Sequence, residues 1–478
     1  MVRQAMSRLT LCALGAGLLA GCTTVGPDYK GPNSAVLKSP AAQGKFVGAA
    51  GLPVDADAPP QDWWRLYDDP LLDRLVGEAL AANTDLRVAA ANLERTEVTI
   101  HEAKDAYGPE VETEVASERR QFSTQSYLRE TPIPPLTVGS VGIRVAYQLD
   151  LFGQLKRLVE AAEADAEASR AVRDAVRVTV VANVVRAYVE ACSAGEELAA
   201  TRSVVNIQEK SAGVLRRLGR AGRIARTDAF RADARTEEGR AALPVFEARR
   251  KTALYRLAVL TGRPPAEFPI EVANCAEPPH LTRPVPVGDG ASLLQRRPDV
   301  REAERDLAAA TARIGVAIGE LYPRISLGAG LGSTGILSDL GTRPANHWSL
   351  GPLISWSLPT PAVRSRIHQA NAKADASLAQ FDGIVLNALR EVETSLTSYG
   401  RDLDRHARLE LARNLSVKAR DDAQILYRAG RTPLLDLLDA QRAAAEAEAV
   451  LATSKARIAD DQVSLFLALG GGWEQGES

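Results

Sequence analysis

The stretch "ISLGAGLG", residues 325–332, places Ile325, Leu327, Ala329 and Leu331 in alternation with Ser326, Gly328, Gly330 and Gly332. A period of two, with one apolar and one small or polar face, is the pattern of a strand that meets two different solvents. Three further segments repeat it. Val111, Thr113 and Val115 alternate with Glu112 and Glu114, and Val141, Ile143, Val145, Tyr147 and Leu149 alternate with Gly142, Arg144, Ala146 and Gln148. In "HWSLGPLISWSL", Trp348, Leu350, Ile354, Trp356 and Leu358 alternate with Ser349, Gly351, Ser355 and Ser357, with Pro352 and Leu353 interrupting the middle. The predicted strands run over about 110–121, 139–149, 324–333 and 347–358. Segments of about ten residues with this dyad period are the signature of a transmembrane barrel. Tyr107, Tyr147, Phe152, Tyr322 and Trp356 fall at the ends of these strands on the side of the helices, where an interfacial aromatic belt belongs. Four strands cannot close a barrel, since about eight is the observed minimum, and lipid does not tolerate an open edge. The chain therefore has to pool strands with copies of itself. Three copies give twelve strands and leave a lumen, so a homotrimer is expected.

Around the strands lie very long helical segments. No proline occurs from Leu136 to Leu243 or from Ala362 to Thr432, so little interrupts a helix there. A helix from Gly153 to about Leu218 would be about 100 Å long. Val172, Val176, Val180, Val184 and Tyr188 form a four-residue ladder, and Val385, Leu389, Val392, Leu396 and Tyr399 alternate steps of four and three, as in a coiled-coil seam. The two halves correspond. "NTDLRVAAANLE" from Asn83 pairs with "RPDVREAERDLA" from Arg297, the Arg-Ala-Gly-Arg turn at 220 with that at 428, and "VLTG" at 259 with "ALGG" at 468. One unit of helix, strand pair, very long helix, turn and long helix is thus written twice in tandem.

The N-terminus carries an export signal: Arg3 and Arg8, then an apolar run from Leu9 to Ala20 too short to span a bilayer. "LAGC", residues 19–22, resembles a bacterial lipobox, which implies that Cys22 becomes the lipid-bearing first residue of the mature protein. Thr23 beside it resembles the pattern of lipoproteins sorted to the outer membrane. The expected division is a signal peptide at 1–21, a lipidated tether at 22–60, a first repeat at 61–262, a Pro-rich linker at 263–290, a second repeat at 291–473 and a tail at 474–478.

Composition narrows the function. With 58 basic and 60 acidic side chains there is no bulk electrostatic case for nucleic acid. The five histidines are scattered, and neither a phosphate-binding Gly-x-x-x-x-Gly-Lys pattern nor a nucleophile elbow appears, so an enzyme is not expected. Cys192 and Cys275 are isolated: one disulfide between them is open, a metal site is not expected, and neither is a cofactor beyond the lipid.

"GCTTVGPDYKGP" (21–32), "DWWRLYDDPLLDRLV" (62–76), "RRPDVREAERDLAAATARIGVAIGELYPRISL" (296–327) and "LNALREVETSLTSY" (386–399) followed by "YRAGRTPLLDLLDAQRA" (427–443) resemble the outer-membrane efflux lipoproteins of the TolC/NodT type. The resemblance covers essentially the whole mature chain. It implies a mixed α and membrane β-barrel fold: a trimeric twelve-stranded barrel in the outer membrane continued by an α-helical coiled-coil barrel across the periplasm. Such a channel passively conducts drugs or small toxic compounds from an inner-membrane pump and a periplasmic adaptor, in a Gram-negative bacterium. The exit duct of a type I protein secretion system shares the fold, and a structural coiled-coil lipoprotein explains the helices but not the strands.

The same resemblance implies the sites. Asp436 and Asp439 match the acidic ring of the periplasmic aperture, and their spacing of three puts both carboxylates on one helix face. Thr227, Asp228 and Tyr427 match the closed-state latch, with Arg431 as an ionic partner, although the family's arginine falls one residue later, at Thr432. Ala221, Gly222, Arg223, Ala429, Gly430 and Arg431 match the turns that meet the adaptor. Thr432 is expected to cap a helix that begins at Pro433.

Overall fold

The computed structural model describes residues 24–125, 128, 130–132, 134–358 and 360–471. The signal peptide, Cys22 and the tail at 474–478 lie outside the described residues. In chain order the elements are α1 (Pro40–Gln43), β1 (Val54–Asp55), α2 (Pro70–Ala82), α3 (Thr84–Asp105), β2 (Glu110–Arg120), β3 (Leu136–Leu149), α4 (Gln154–Arg220) and α5 (Arg226–Leu260). They continue with β4 (Val285–Pro286), α6 (Gly290–Arg296), α7 (Pro298–Gly319), β5 (Arg324–Ile336), β6 (Asn346–Ser355), α8 (Pro361–Arg428) and α9 (Leu434–Ala468). The duplication is metrical: α3 and α7 both have 22 residues, α4 and α8 have 67 and 68, and α5 and α9 both have 35.

The chain divides into two compact units, one of them comprising 93–169, 303–381 and the described residues up to 33. Its centre is an antiparallel sheet in the order β2-β3-β5-β6, so the two halves of the duplication join at β3 and β5. Register sorts the side chains. One row across the sheet is Thr113, Ile143, Leu331, Trp348 and the next is Val111, Val145, Ala329, Leu350. The opposite face reads Glu112, Arg144, Gly330, Ser349, then Glu114, Gly142, Gly332, His347. Trp348 and Leu350 are each 77% exposed, so the apolar face has no cover from its own chain. On the polar face Arg144 reaches Glu112 at 3.1 Å. β6 stops at Ser355, short of the expected end at 358, because Ser355 pairs with Arg324, where β5 begins; beyond it the Trp356 indole donates to the Leu321 carbonyl at 3.1 Å. Phe152 and Tyr322 of the expected belt stack at 4.5 Å.

The other unit, 34–92, 170–302 and 382–471, holds the main core. Trp63 stacks on Phe466 at 4.4 Å, and Leu72, Leu75 and Val76 of α2 close over Val181, Val184 and Val185 of α4. The ladders read from the sequence are buried over most of their length, Val180, Val184 and Tyr188 on α4 and Val385, Val392, Leu396 and Tyr399 on α8, whereas Val172 at the start of the first is exposed. Asp69 starts α2 by accepting from the Leu71 and Leu72 amides, and its second oxygen accepts from the Tyr188 hydroxyl at 2.6 Å. The paired motifs at 83 and 297 close the long helices. Asn83 Nδ2 donates to the Leu260 carbonyl at the end of α5, while Arg297 donates to the Ala468 carbonyl at 2.7 Å and Arg296 to that of Leu469. Carbonyls left over at a helix C-terminus need such donors, and a guanidinium also complements the dipole there.

The described part of the segment 22–60 is docked along the body: the Val47 and Gly48 amides donate to the Glu393 carboxylate at 2.8 and 2.6 Å, and Val54 pairs with Val285 in a parallel bridge. The segment 263–290 between the repeats is packed as well: Val272, Val285 and Val287 are buried and Cys275 is bonded to Cys192.

A cavity of about 650 Å³ in this unit is lined by charged groups. Arg249 pairs with Glu197 at 2.8 Å, Arg256 with Glu190 at 3.0 Å and Arg186 with Asp460 at 3.1 Å. Among the described residues Asp461 has no such ion-pair partner. Burial and the like charges of Asp402 and Asp460 push its carboxyl up to about 7, against the pull of Arg457. Its charge is thus disfavoured in the fold and not in the unfolded chain, so stability falls as pH rises from the ordinary carboxylate range through about 7.

Two outcomes follow. Asp461→Asn should raise the thermal midpoint at pH 8.5, by an amount worth about 1 kcal/mol after solvent screening, and the gain should vanish near pH 4; an equal gain at both would mean that the carboxyl is not strained. Reductant should lower the wild-type midpoint, and Cys192→Ser/Cys275→Ser should start low, by about 2–5 kcal/mol, and ignore reductant.

Candidate functional site

The two turns that follow the very long helices are built alike. At the first, the Arg223 amide donates to the Leu218 carbonyl at 2.9 Å and the Gly222 amide to that of Gly219 at 3.1 Å. At the second, Arg431 donates to Leu426 at 2.9 Å and Gly430 to Tyr427 at 2.9 Å. This is the Schellman closure, which needs one residue with positive φ: Gly222 at 69° and Gly430 at 67°. A Cβ at either would meet nothing within 4 Å, so the requirement is conformational and not one of space. Ala221, Gly222, Arg223, Ala429, Gly430 and Arg431 are all exposed. Neither Arg223 nor Arg431 has an ion pair among the described residues, so both turns present an unneutralised cation.

Behind the turns, α4, α5 and α9 enclose a cavity of about 630 Å³. Asp228, Asp436 and Asp439 line it together with Arg231, Arg235 and Arg442. The structure thus brings the two aperture candidates to one place with one latch candidate. Thr227, Tyr427 and Arg431 are not in its wall. Tyr427 is 39% exposed, and among the described residues its side chain has no hydrogen bond. Asp228 turns to Arg231 on its own helix at 3.6 Å.

The carboxylates are not equivalent. Asp439 lies 2.5 Å from Arg442, which also reaches Glu446 at 3.4 Å; the hydrogen bond that Arg442 donates to Asp439 is the main reason the Arg442 pKa is raised. Asp436, in the first turn of α9, accepts among the described residues only from the neutral Thr432 hydroxyl at 2.9 Å. The expected cap is corrected accordingly. α9 begins at Leu434, Pro433 holds the cap position with φ −61° and ψ 153°, and Thr432 stands one residue outside, donating to Asp436 and not accepting from a backbone amide. The helix dipole still favours the Asp436 charge. Arg442, Arg231 and Arg235 were missed as site residues. The spacing of three between Asp439 and Arg442 was a readable signal for the first; that Arg231 and Arg235 share the cavity is a matter of helix packing.

Comparison with known proteins bears on the whole architecture. The sequence pattern described as outer membrane efflux protein matches residues 75–263 and 291–471. The chain is 30% identical over 475 residues to the antibiotic efflux pump outer membrane protein ArpC of Pseudomonas putida, covering 96% of this chain and 95% of that one. It is 28% identical over 466 residues to nodulation protein T of Rhizobium leguminosarum bv. trifolii, covering 95% and 96%. The solved outer-membrane channel OprN superposes with a TM-score of 0.84 at 35% identity, over 94% of this chain and 100% of that one. The uncovered apolar sheet face, the very long helices and these relatives agree: the chain belongs to the outer membrane efflux protein family and is the outer-membrane channel of a tripartite efflux system.

Proposed function

We propose that three copies of this chain close one conduit, that lipid on Cys22 anchors each copy, and that the cavity behind the turns becomes the periplasmic aperture. The observation that carries the reading is the sheet with an exposed apolar face and two unpaired edges, β2 and β6. In lipid each edge amide and carbonyl lacks a partner unless another chain supplies one. Two copies would give eight strands and a bore filled by side chains, whereas three give twelve and a lumen. The Glu112, Arg144 and His347 face then lines water, and the Val111, Leu331 and Trp348 face meets acyl chains. Transport through such a bore needs no catalytic group, cofactor or metal.

At the aperture Asp436 and Asp439 recur three times around one axis. Because Arg442 neutralises Asp439 within its own helix, the field at the constriction comes chiefly from Asp436. Thr227, Asp228, Tyr427 and Arg431 form the latch of the closed state. The 3.6 Å contact of Asp228 with Arg231 is long enough to be exchanged for the Tyr427 hydroxyl. The two exposed turns, tipped by Arg223 and Arg431, receive the hairpin of a periplasmic adaptor that joins the channel to an inner-membrane pump.

Single-channel recording in planar bilayers tests the aperture. Asp436→Asn should cut the cation-to-anion permeability ratio about fivefold, as for loss of about 1 kcal/mol of Coulomb energy, and Asp439→Asn should cut it less. An unchanged ratio in the double variant removes both residues from the pore. In the same recordings Asp228→Ala/Tyr427→Phe should raise resting conductance, and no rise moves the latch elsewhere.

A further inference from the structure

The sequence "GPDY", residues 26–29, was singled out by resemblance alone, and the channel reading leaves it without a task. In the structure it is seated where β3 passes into α4 and α7 passes into β5. The Val25 amide donates to the Phe152 carbonyl at 3.0 Å. Arg157, in the first turn of α4, gathers the rest: Nε donates to the Val25 carbonyl at 2.9 Å, one terminal nitrogen to the Gly26 carbonyl at 3.2 Å and Asp28 Oδ1 at 2.6 Å, and the other to Glu160 at 2.7 Å. Its side chain is 3% exposed. Tyr29 packs against Ala164, Ala308 and Ala309, under the guanidinium of Arg305 at 5.7 Å.

The backbone approach is as close as chemistry permits. Gly26 has φ 83°, and a Cβ there would lie 2.5 Å from Gly315 Cα; a Cβ on Gly315 would lie 2.6 Å from Arg157 Cγ and 2.9 Å from the Val25 carbonyl. Two glycines from distant parts of the chain are thus used to lay this segment onto the last turns of α7. A buried planar fork that serves two carbonyls and two carboxylates cannot be replaced by a lysine point charge.

We infer that residues 24–29 are a clasp that seats the lipid-bearing N-terminus on the strand-to-helix junction, with Arg157 as its positioning residue. Cys22 precedes Val25 by three residues in the sequence. Val25 in turn is bonded to Phe152, whose ring stacks on Tyr322 at the strand ends. The inference rests on the reading of Cys22 as the lipidated residue.

Lys30 is exposed directly after the clasp, and Lys38 and Lys45 follow it. Trypsin digestion of the full-length lipidated protein in detergent, with the lipopeptide ending at Lys30 followed by mass spectrometry, reads the clasp. Arg157→Ala should speed cleavage at Lys30 at least tenfold, as expected for loss of hydrogen bonds to a charged group, with Lys38 and Lys45 changing less than twofold. A change under twofold at Lys30, or an equal rise at all three, overturns the clasp. Should Arg157→Ala fail to assemble, Asp28→Asn is scored in its place, with a threefold rise expected at Lys30 and no rise counting against the clasp. The same spectra show whether Cys22 carries acyl mass: its absence overturns the anchor reading, while protection at Lys30 still decides the clasp.

Discussion

Backbone amides and carbonyls at the rim of a sheet cannot be left bare in hydrocarbon, and most of this molecule can be understood from that constraint. The chain supplies four strands with β2 and β6 as rims, and its outward face of valine, leucine and tryptophan would be an aggregation hazard in water. Neither feature is a defect once strands are pooled between copies. Duplication suits the same need. The two strand pairs are joined at β3 and β5 by the same antiparallel register that operates within each pair, so one chain already contains a seam of the kind it must make with its neighbours.

Away from the strands, arginine supplies much of the fixation. Arg296 and Arg297 close the last turn of α9, Arg157 gathers the N-terminal segment, and Arg442 neutralises Asp439. In the first two places the guanidinium meets backbone carbonyls that would otherwise lack donors, which a hydrophobic contact could not satisfy. In the groove behind the turns the same chemistry weakens one of two carboxylates and leaves the other prominent. A motif that looks like two equal charges in the sequence is therefore unequal in the fold.

Much of the architecture was legible in the residues. Alternation at 325–332 and its three counterparts marked the strands because a sheet between lipid and water imposes period two on every side chain. Runs without proline marked α4 and α8 for an equally local reason. What escaped was set by contacts distant in sequence. Pro-rich composition marked 22–60 and 263–290 as connections, but how such segments dock depends on partners elsewhere, such as Glu393 for Val47 and Gly48 and Cys192 for Cys275. Thr432 was assigned the cap by its position before Pro433, and the helix instead starts one residue later with the hydroxyl spent on Asp436. The approach of Gly26 to Gly315 could not be read from either glycine alone.

The central claim is that a single chain is an incomplete wall. Native mass spectrometry of the protein extracted in mild detergent tests it most directly. The account predicts one dominant species with the mass of three mature chains. A stable species of one chain that still conducts in bilayers would contradict it.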